Sequence, residues 1–159
     1  MSILVSVLAA ALLLLVLGAI VRFSIVSPVR MRGAHDRLQD PDAAGVERVC
    51  GFPPPPDLVE LYRDGALTRR SEFALVDTTR EPARTWSFGG FYPLTGQDVM
   101  EQRKVHRITT GIPIADDLDK GVYFVTRDGR IMFRPPGCAT SEVEVAPSAT
   151  ALSRFEVSS

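Results

Sequence analysis

Residues 121–134, GVYFVTRDGRIMFR, constrain the fold more than any other stretch of the sequence. Two runs rich in β-branched and aromatic residues flank Asp128-Gly129, a dipeptide typical of a two-residue β-hairpin turn. Such a turn pairs Phe124 with Phe133, and the alternation of side chains along a strand then fixes both faces of the hairpin. The predicted core face carries Val122, Phe124, Ile131 and Phe133, and the opposite face carries Tyr123, Val125, Arg127, Arg130, Met132 and Arg134. The stretch therefore predicts an antiparallel strand pair.

A run of four prolines leads into a short predicted helix. Asp57 can cap its first turn, and Leu58, Leu61 and Tyr62 recur at the spacing of one helical face before Gly65 ends the helix. Proline runs also bind SH3 and WW domains. The amphipathic pattern directly after this run favours a structural role instead.

The middle of the chain supplies two predicted strands, over residues 71–77 and 84–94. The pair Gly89-Gly90 inside the second strand predicts a bulge or a tight bend. The aromatic side chains concentrate in this strand, at Trp86, Phe88, Phe91 and Tyr92. Such a cluster can form a ligand platform, although packing in the core of a small sheet is its usual role.

Residues 95–107 predict a second short helix with Val99 and Met100 facing inward. The run Arg-Lys-Val-His-Arg at its end is typical of a solvated face. Late strands are predicted at SEVEV and SRFEV, and residues 156–159 are expected to form a mobile tail.

The N-terminus carries 19 consecutive uncharged residues, from Ile3 to Val21. A helix needs roughly 20 apolar residues to cross the hydrocarbon core of a bilayer. A cleaved signal peptide would carry a basic residue before a shorter apolar run, whereas only Met1 and Ser2 precede this one. We therefore expect residues 1–22 to form an uncleaved transmembrane helix, with residues 3–21 in the lipid.

Basic residues on one side of this segment predict its orientation. Four arginines follow it closely: Arg22, Arg30, Arg32 and Arg37. The positive-inside rule places this side in the cytoplasm, which predicts a single-pass protein of the inner (plasma) membrane with a cytoplasmic globular part. Residues 23–46 are predicted to form a juxtamembrane linker, and residues 47–155 the globular domain.

Composition argues against a nucleic-acid partner and leaves the redox state of the two cysteines open. A net charge of −1 and a pI near 6.1 supply no general attraction for nucleic acid. Cys50 and Cys138 fit either a reduced compartment or one disulfide, and their spacing suggests no zinc site. No nucleotide-binding or hydrolase motif is present in the sequence, so no cofactor is expected.

Three carboxylates, Asp116, Asp117 and Asp119, lie between an apolar run and the predicted hairpin. A calcium loop that began at Asp117 would place Gly121 where another oxygen ligand is needed and Val122 where the turn glycine belongs. The sequence therefore does not fit that loop, and no metal site is predicted.

The same carboxylates could form a catalytic pair. In an extended segment the Cα atoms of Asp117 and Asp119 would lie roughly 6.5 to 7 Å apart, a separation that permits a glycosidase-like pair. A hydrolase also needs one sheltered acid with a raised pKa, and acids beside Lys120 are typical of a solvated loop. The simplest prediction is a polar turn that leads into a strand through Gly121.

Three stretches of this chain are similar to the SUKH superfamily, which includes the yeast cell-wall assembly regulator and many bacterial toxin-immunity proteins. They are PPPPDLVELYRDG, WSFGGFYPL, and IPIADDLDKGVYFV followed by RDGRIMFR. The similarity covers residues 51–136. The chain departs from the pattern at Asp64-Gly65-Ala66, where members often have Asn-Gly-Gly, and at Leu118, where members often have glycine.

The resemblance implies an α+β domain with a small mixed or antiparallel sheet flanked by short helices, without catalysis or cofactor. It implies function by protein binding, and bacterial members commonly neutralise a toxin by occluding it. The expected function is thus a membrane-anchored, protein-binding domain; the alternatives are a scaffold or regulator of envelope processes and a carboxylate-dependent hydrolase. The candidate contact residues for a protein partner are Asp116, Asp117, Asp119, Trp86 and Tyr92.

Overall fold

The computed structural model describes residues 40–138 and 141–158. The predicted transmembrane helix, its orientation and residues 23–39 of the predicted linker lie outside the described residues. Within the described residues, no helix is both long and apolar enough to span a bilayer.

The described residues form four helices and seven strands, which confirms the α+β class. The elements are α1 (Ala43–Cys50), α2 (Pro56–Asp64), β1 (Ser71–Asp77), β2 (Arg84–Phe91), α3 (Gly96–His106), β3 (Gly111–Asp116), β4 (Val122–Thr126), β5 (Ile131–Arg134), β6 (Val143–Ala146), α4 (Ala149–Leu152) and β7 (Glu156–Ser158). The strands form one sheet in the order β6-β5-β4-β3-β2-β1-β7. Every neighbouring pair is antiparallel.

Strand β4 lies inside this sheet, between β5 and β3, and is buried on both faces. Tyr123 and Val125 point into the main core, which the helices cover. Val122 and Phe124 point the other way and form a second cluster with Ile108, against which Tyr92 and Met132 pack. Burial on both sides explains why β4 is continuously apolar.

The predicted register of the β4–β5 hairpin is wrong by one residue. Tyr123, rather than Phe124, pairs with Phe133, so the two strands contribute different residues to each face than expected. The Thr126 N–H donates to the Arg130 carbonyl at 2.9 Å, which leaves a three-residue loop, and Gly129 adopts a φ of 88°. An Asp-Gly sequence suits this turn with its left-handed glycine as well as the two-residue turn.

Helix α2 follows its prediction closely. Leu58, Leu61 and Tyr62 are its buried residues, and Gly65 ends it with a φ of 73°. Asp57 does not cap the helix as predicted, because it lies inside the first turn. Its carboxylate instead accepts a hydrogen bond from the Thr150 N–H at 3.1 Å, which joins α2 to α4.

Helix α1 shows that the predicted domain boundary at residue 47 falls too late. The Asp42 carboxylate caps this helix by accepting from the Gly45 N–H at 2.9 Å, and Val46 is fully buried. The α1 backbone lies so close to α3 that a Cβ added at Gly96 would be 2.7 Å from the Gly45 carbonyl oxygen. A helix with so few core residues leaves little periodicity for prediction.

The expected bulge lies in a different strand from the one predicted. The β1–β2 register is the same on both sides of Gly89, so β2 runs through it regularly, whereas the irregularity falls in β3 between Pro113 and Ala115. Gly89 instead leaves room for a neighbouring side chain. A Cβ there would lie 3.1 Å from Oδ1 of Asp116.

The remaining predictions were partly correct. Helix α3 begins after Thr95, whose hydroxyl accepts from the Asp98 N–H at 3.2 Å. Val99 is buried as predicted, but Met100 is 42% exposed and does not face inward. Residues 156–158 form β7 and pair with β1, so they belong to the sheet and not to a tail.

Candidate functional site

The acidic turn, residues 116–121, connects β3 to β4. Its backbone closes through two hydrogen bonds, from the Asp117 N–H to the Gly121 carbonyl at 3.1 Å and from the Lys120 N–H to the Asp117 carbonyl at 3.3 Å. Lys120 has a φ of 69°, a left-handed conformation that reverses the chain. The predicted polar turn is therefore confirmed.

The Asp117 side chain organises this turn. Its Oδ1 accepts hydrogen bonds from the N–H groups of Asp119, at 2.5 Å, and Gly121, at 3.0 Å. The extended geometry that a catalytic Asp117–Asp119 pair would require is absent, since β3 ends at Asp116. The arrangement makes Asp117 a structural acceptor and leaves Asp119 in solvent.

Leu118 lies at the tip of the acidic turn, between Asp117 and Asp119, and is 57% exposed. Asp119 and Lys120 beside it are also exposed. Leu118 is thus an exposed apolar side chain with charged neighbours, on a turn whose backbone the Asp117 carboxylate orders. The sequence prediction singled out the carboxylates and missed Leu118.

Tyr92 lies within electrostatic range of the acidic turn. Burial raises the pKa of its hydroxyl, and the charges of Asp116 and Asp117 raise that pKa further. Its backbone is fixed by two hydrogen bonds: the Tyr92 N–H donates to the Ile114 carbonyl at 2.8 Å, and the Tyr62 hydroxyl donates to the Tyr92 carbonyl at 2.9 Å. The predicted contact residue Tyr92 thus lies near two others, Asp116 and Asp117.

The ring of Tyr92 packs against the second cluster. Its hydroxyl lies 3.1 Å from Nε2 of His106, the last residue of α3. Burial, and then the nearby Arg134 guanidinium, lower the pKa of this histidine. The Tyr92–His106 pair was not predicted from sequence, because fourteen residues and a helix separate its members.

Trp86 lies on the other side of the sheet from Tyr92. It packs against the main core and contacts Phe133 edge to face, with ring centroids 6.0 Å apart. Phe133 pairs with Tyr123, whose neighbour Val122 points to the opposite face. The structure therefore does not bring Trp86 and Tyr92 together as one platform.

Residues 40–138 and 141–158 contain no group of three or more His, Cys, Asp or Glu side chains placed to hold a metal ion. Cys50 is half-buried and Cys138 is exposed, and both are free thiols. Burial raises the pKa of the Cys50 thiol, which makes it less reactive than an exposed cysteine.

Comparison of the chain with protein-family profiles, with curated proteins and with solved structures gives no match. The functional argument therefore depends on the geometry of the acidic turn and its surroundings.

Proposed function

We propose that this chain is a non-catalytic protein-binding domain, anchored in the plasma membrane by residues 3–21 and facing the cytoplasm. Its acidic turn is the contact surface. The partner is a protein that presents basic side chains around an apolar depression. The observation that carries this proposal is the exposure of Leu118 on a turn that Asp117 holds in one conformation.

Preorganisation is the physical reason why this turn suits binding. A loop that is already ordered loses little conformational entropy when a partner binds, so more of the contact energy appears as affinity. Leu118 supplies apolar area, while Asp116 and Asp119 favour a basic partner and discourage an acidic one. The surface thus combines an anchor with charge selectivity.

The resemblance to SUKH domains suggests that the partner is a toxin and that binding occludes it. A membrane anchor would keep the inhibitor at the inner face of the membrane, where an incoming toxin emerges. Tethering raises the effective concentration for any partner near the membrane without a new contact. In this role, deletion of a toxin gene next to the chain's own gene would make the protein dispensable.

Affinity purification of the full chain from its native membranes tests the binding proposal. The wild type and Val157→Glu should each retain the same single protein at a one-to-one ratio, whereas Leu118→Glu should lose it. Val157 is the matched control because it is an exposed apolar residue on β7. Equal recovery with Leu118→Glu would contradict a role for the acidic turn, and repeated recovery of no partner would contradict the binding function.

Thiol labelling tests the proposed topology separately. In the Cys50→Ser variant, the exposed Cys138 is the remaining cysteine. A membrane-impermeant maleimide should label it in inside-out vesicles, which expose the cytoplasmic face, but not in intact cells. Labelling in intact cells would contradict the cytoplasmic location and leave the protein-binding proposal untouched.

A further inference from the structure

Tyr92 and His106 join two parts of the molecule that the sequence keeps apart. Tyr92 follows β2 directly, while His106 ends α3. Their side chains meet at 3.1 Å, between the Tyr92 hydroxyl and Nε2 of His106. The contact therefore fixes the C-terminal end of α3 to the sheet.

The direction of this hydrogen bond depends on the protonation of both partners. Burial and the neighbouring Asp116 and Asp117 charges keep its hydroxyl protonated, so it can donate. A neutral imidazole accepts at one nitrogen only. In the latched form we assign the donor role to the Tyr92 hydroxyl, so that Nε2 of His106 accepts and the imidazole proton lies on Nδ1.

The other groups around His106 are mostly cationic. From β5, the Arg134 guanidinium donates to the backbone carbonyl of His106 at 3.3 Å and to that of Arg107 at 3.2 Å, and it also pairs with Glu142. The last turn of the helix carries Arg103 and Lys104, and Arg107 follows it. The Arg103 guanidinium donates to the carbonyls of Ile108 at 3.0 Å and Val49 at 2.9 Å, and also to that of Thr109. The acids Asp116 and Asp117 act on the Tyr92 hydroxyl. A second proton on His106 would add a cation where Arg134 already lies.

The segment after His106 covers the second cluster. Ile108 is almost fully buried there with Val122 and Phe124, and the Arg134 guanidinium lies 5.5 Å from the Phe124 ring centroid. The Ile108 N–H donates to the Arg103 carbonyl at 3.0 Å. Release of His106 would therefore loosen the cover of an apolar surface.

We propose that Tyr92 and His106 form a pH-sensitive latch, which holds the end of α3 over the second cluster and releases it when His106 is protonated. A protonated imidazole can no longer accept from the Tyr92 hydroxyl and can only donate to it. It also carries a positive charge beside the Arg134 guanidinium, which donates to the His106 carbonyl at 3.3 Å, and the repulsion between these two cations weakens the latch. The latch is closed at neutral pH. Acid conditions weaken it and raise the population in which Phe124 and Ile108 are accessible to solvent.

The sign of the pH dependence follows from linkage. The pKa of His106 is lowered in the latched form, so the released form binds the proton more readily, with a pKa near the usual value of about 6.5. The latch is fully stable above that pH and weakens as the pH falls through it. Protection of the Ile108 amide against hydrogen exchange should drop by up to about tenfold between pH 7.5 and 5.5.

NMR of the full chain in detergent micelles tests this inference directly. The chain has two histidines, so the His35→Gln variant leaves one imidazole signal. We expect ¹⁵N shifts of the tautomer protonated on Nδ1, a pKa below that of an exposed histidine, and the loss of Ile108 protection in acid, after correction for intrinsic exchange. Tyr92→Phe should move the pKa back towards the ordinary value.

The His106→Gln variant is the matched control, since glutamine retains an acceptor but does not titrate in this range. In this variant, the protection of the Ile108 amide against hydrogen exchange should not change between pH 7.5 and 5.5. The Nε2-protonated tautomer, or a pKa at or above the ordinary value, would overturn the latch. So would an equal loss of protection in His106→Gln and the parent chain.

Discussion

The Tyr62 hydroxyl donates a hydrogen bond to the backbone carbonyl of Tyr92, 2.9 Å away and thirty residues along the chain. The same hydroxyl lies 3.2 Å from the carbonyl oxygen of Ile114 in β3. Helix α2 thus helps to position β3, which leads to the acidic turn, and the residue after β2 that is hydrogen-bonded to it. The predicted proline-led helix has a direct structural connection to the candidate site.

Tyr62→Phe should therefore lower the free energy of unfolding by about 1 to 2 kcal/mol, because a buried hydroxyl is lost and the Tyr92 carbonyl is left without that donor. Urea unfolding measures this change. Tyr123→Phe is the comparison, since its hydroxyl donates to one carbonyl, that of Ser87 at 2.7 Å, whereas the Tyr62 hydroxyl lies within reach of two. A larger loss in the control would contradict this view of Tyr62.

Removal of the Asp117 side chain should also destabilise the protein. Asp117→Ala leaves the N–H groups of Asp119 and Gly121 without their acceptor, which should cost about 1 to 2 kcal/mol. Asp117→Asn should recover part of this loss because its amide oxygen can accept. Asp119→Ala should stay within about 0.5 kcal/mol of the wild type, and thermal unfolding of the three variants would show whether that order holds.

Gly96→Ala tests the close contact of α1 with α3. An alanine in a helix is normally more favourable than glycine by about 1 kcal/mol. Here its Cβ would lie 2.7 Å from the Gly45 carbonyl oxygen, so the helices must separate and the protein should lose about 1 to 3 kcal/mol. The exposed Gln97→Ala is the control and should change the stability little. A stabilised Gly96→Ala variant would refute the contact.

The hairpin register can be tested by double-mutant cycles in urea unfolding. Tyr123 and Phe133 are cross-strand partners with ring centroids 4.8 Å apart, so their coupling energy should be about 0.5 to 1.5 kcal/mol. Phe124 and Phe133 lie on opposite faces and should show none. A larger coupling for Phe124 with Phe133 would support the two-residue turn instead.

The elements that sequence predicted best are those with a single buried face. The α2 pattern of Leu58, Leu61 and Tyr62 matches the buried face of that helix, and β1 spans the predicted residues 71–77. Each of these segments buries one side only, so its periodicity reports its orientation.

Strand β4 and the hairpin turn show why other features could not be predicted. Both faces of β4 are apolar, so alternation could not reveal a one-residue error in register. The Asp128-Gly129 dipeptide fits either turn length. The second cluster and the Tyr92–His106 contact depend on tertiary packing between distant segments, and no local pattern indicates them.

Leu118 is an example from the candidate site of a feature that the local sequence pattern does not indicate. Its position between Asp117 and Asp119 is visible in the sequence, but its exposure follows from the way the Asp117 carboxylate folds the turn beneath it. The carboxylates attracted a catalytic hypothesis that the turn geometry does not support. The apolar residue between them became the stronger candidate only after the fold was known.

Site-specific photo-cross-linking in native cells tests the binding account most directly. A photoreactive amino acid would replace Leu118 in one variant and Val157 in another, since both are exposed apolar positions on different elements. The account predicts one cross-linked protein from position 118, weakened by the additional charge reversal Asp119→Lys, and none from position 157. The same products from both positions, or no product from position 118, would contradict it.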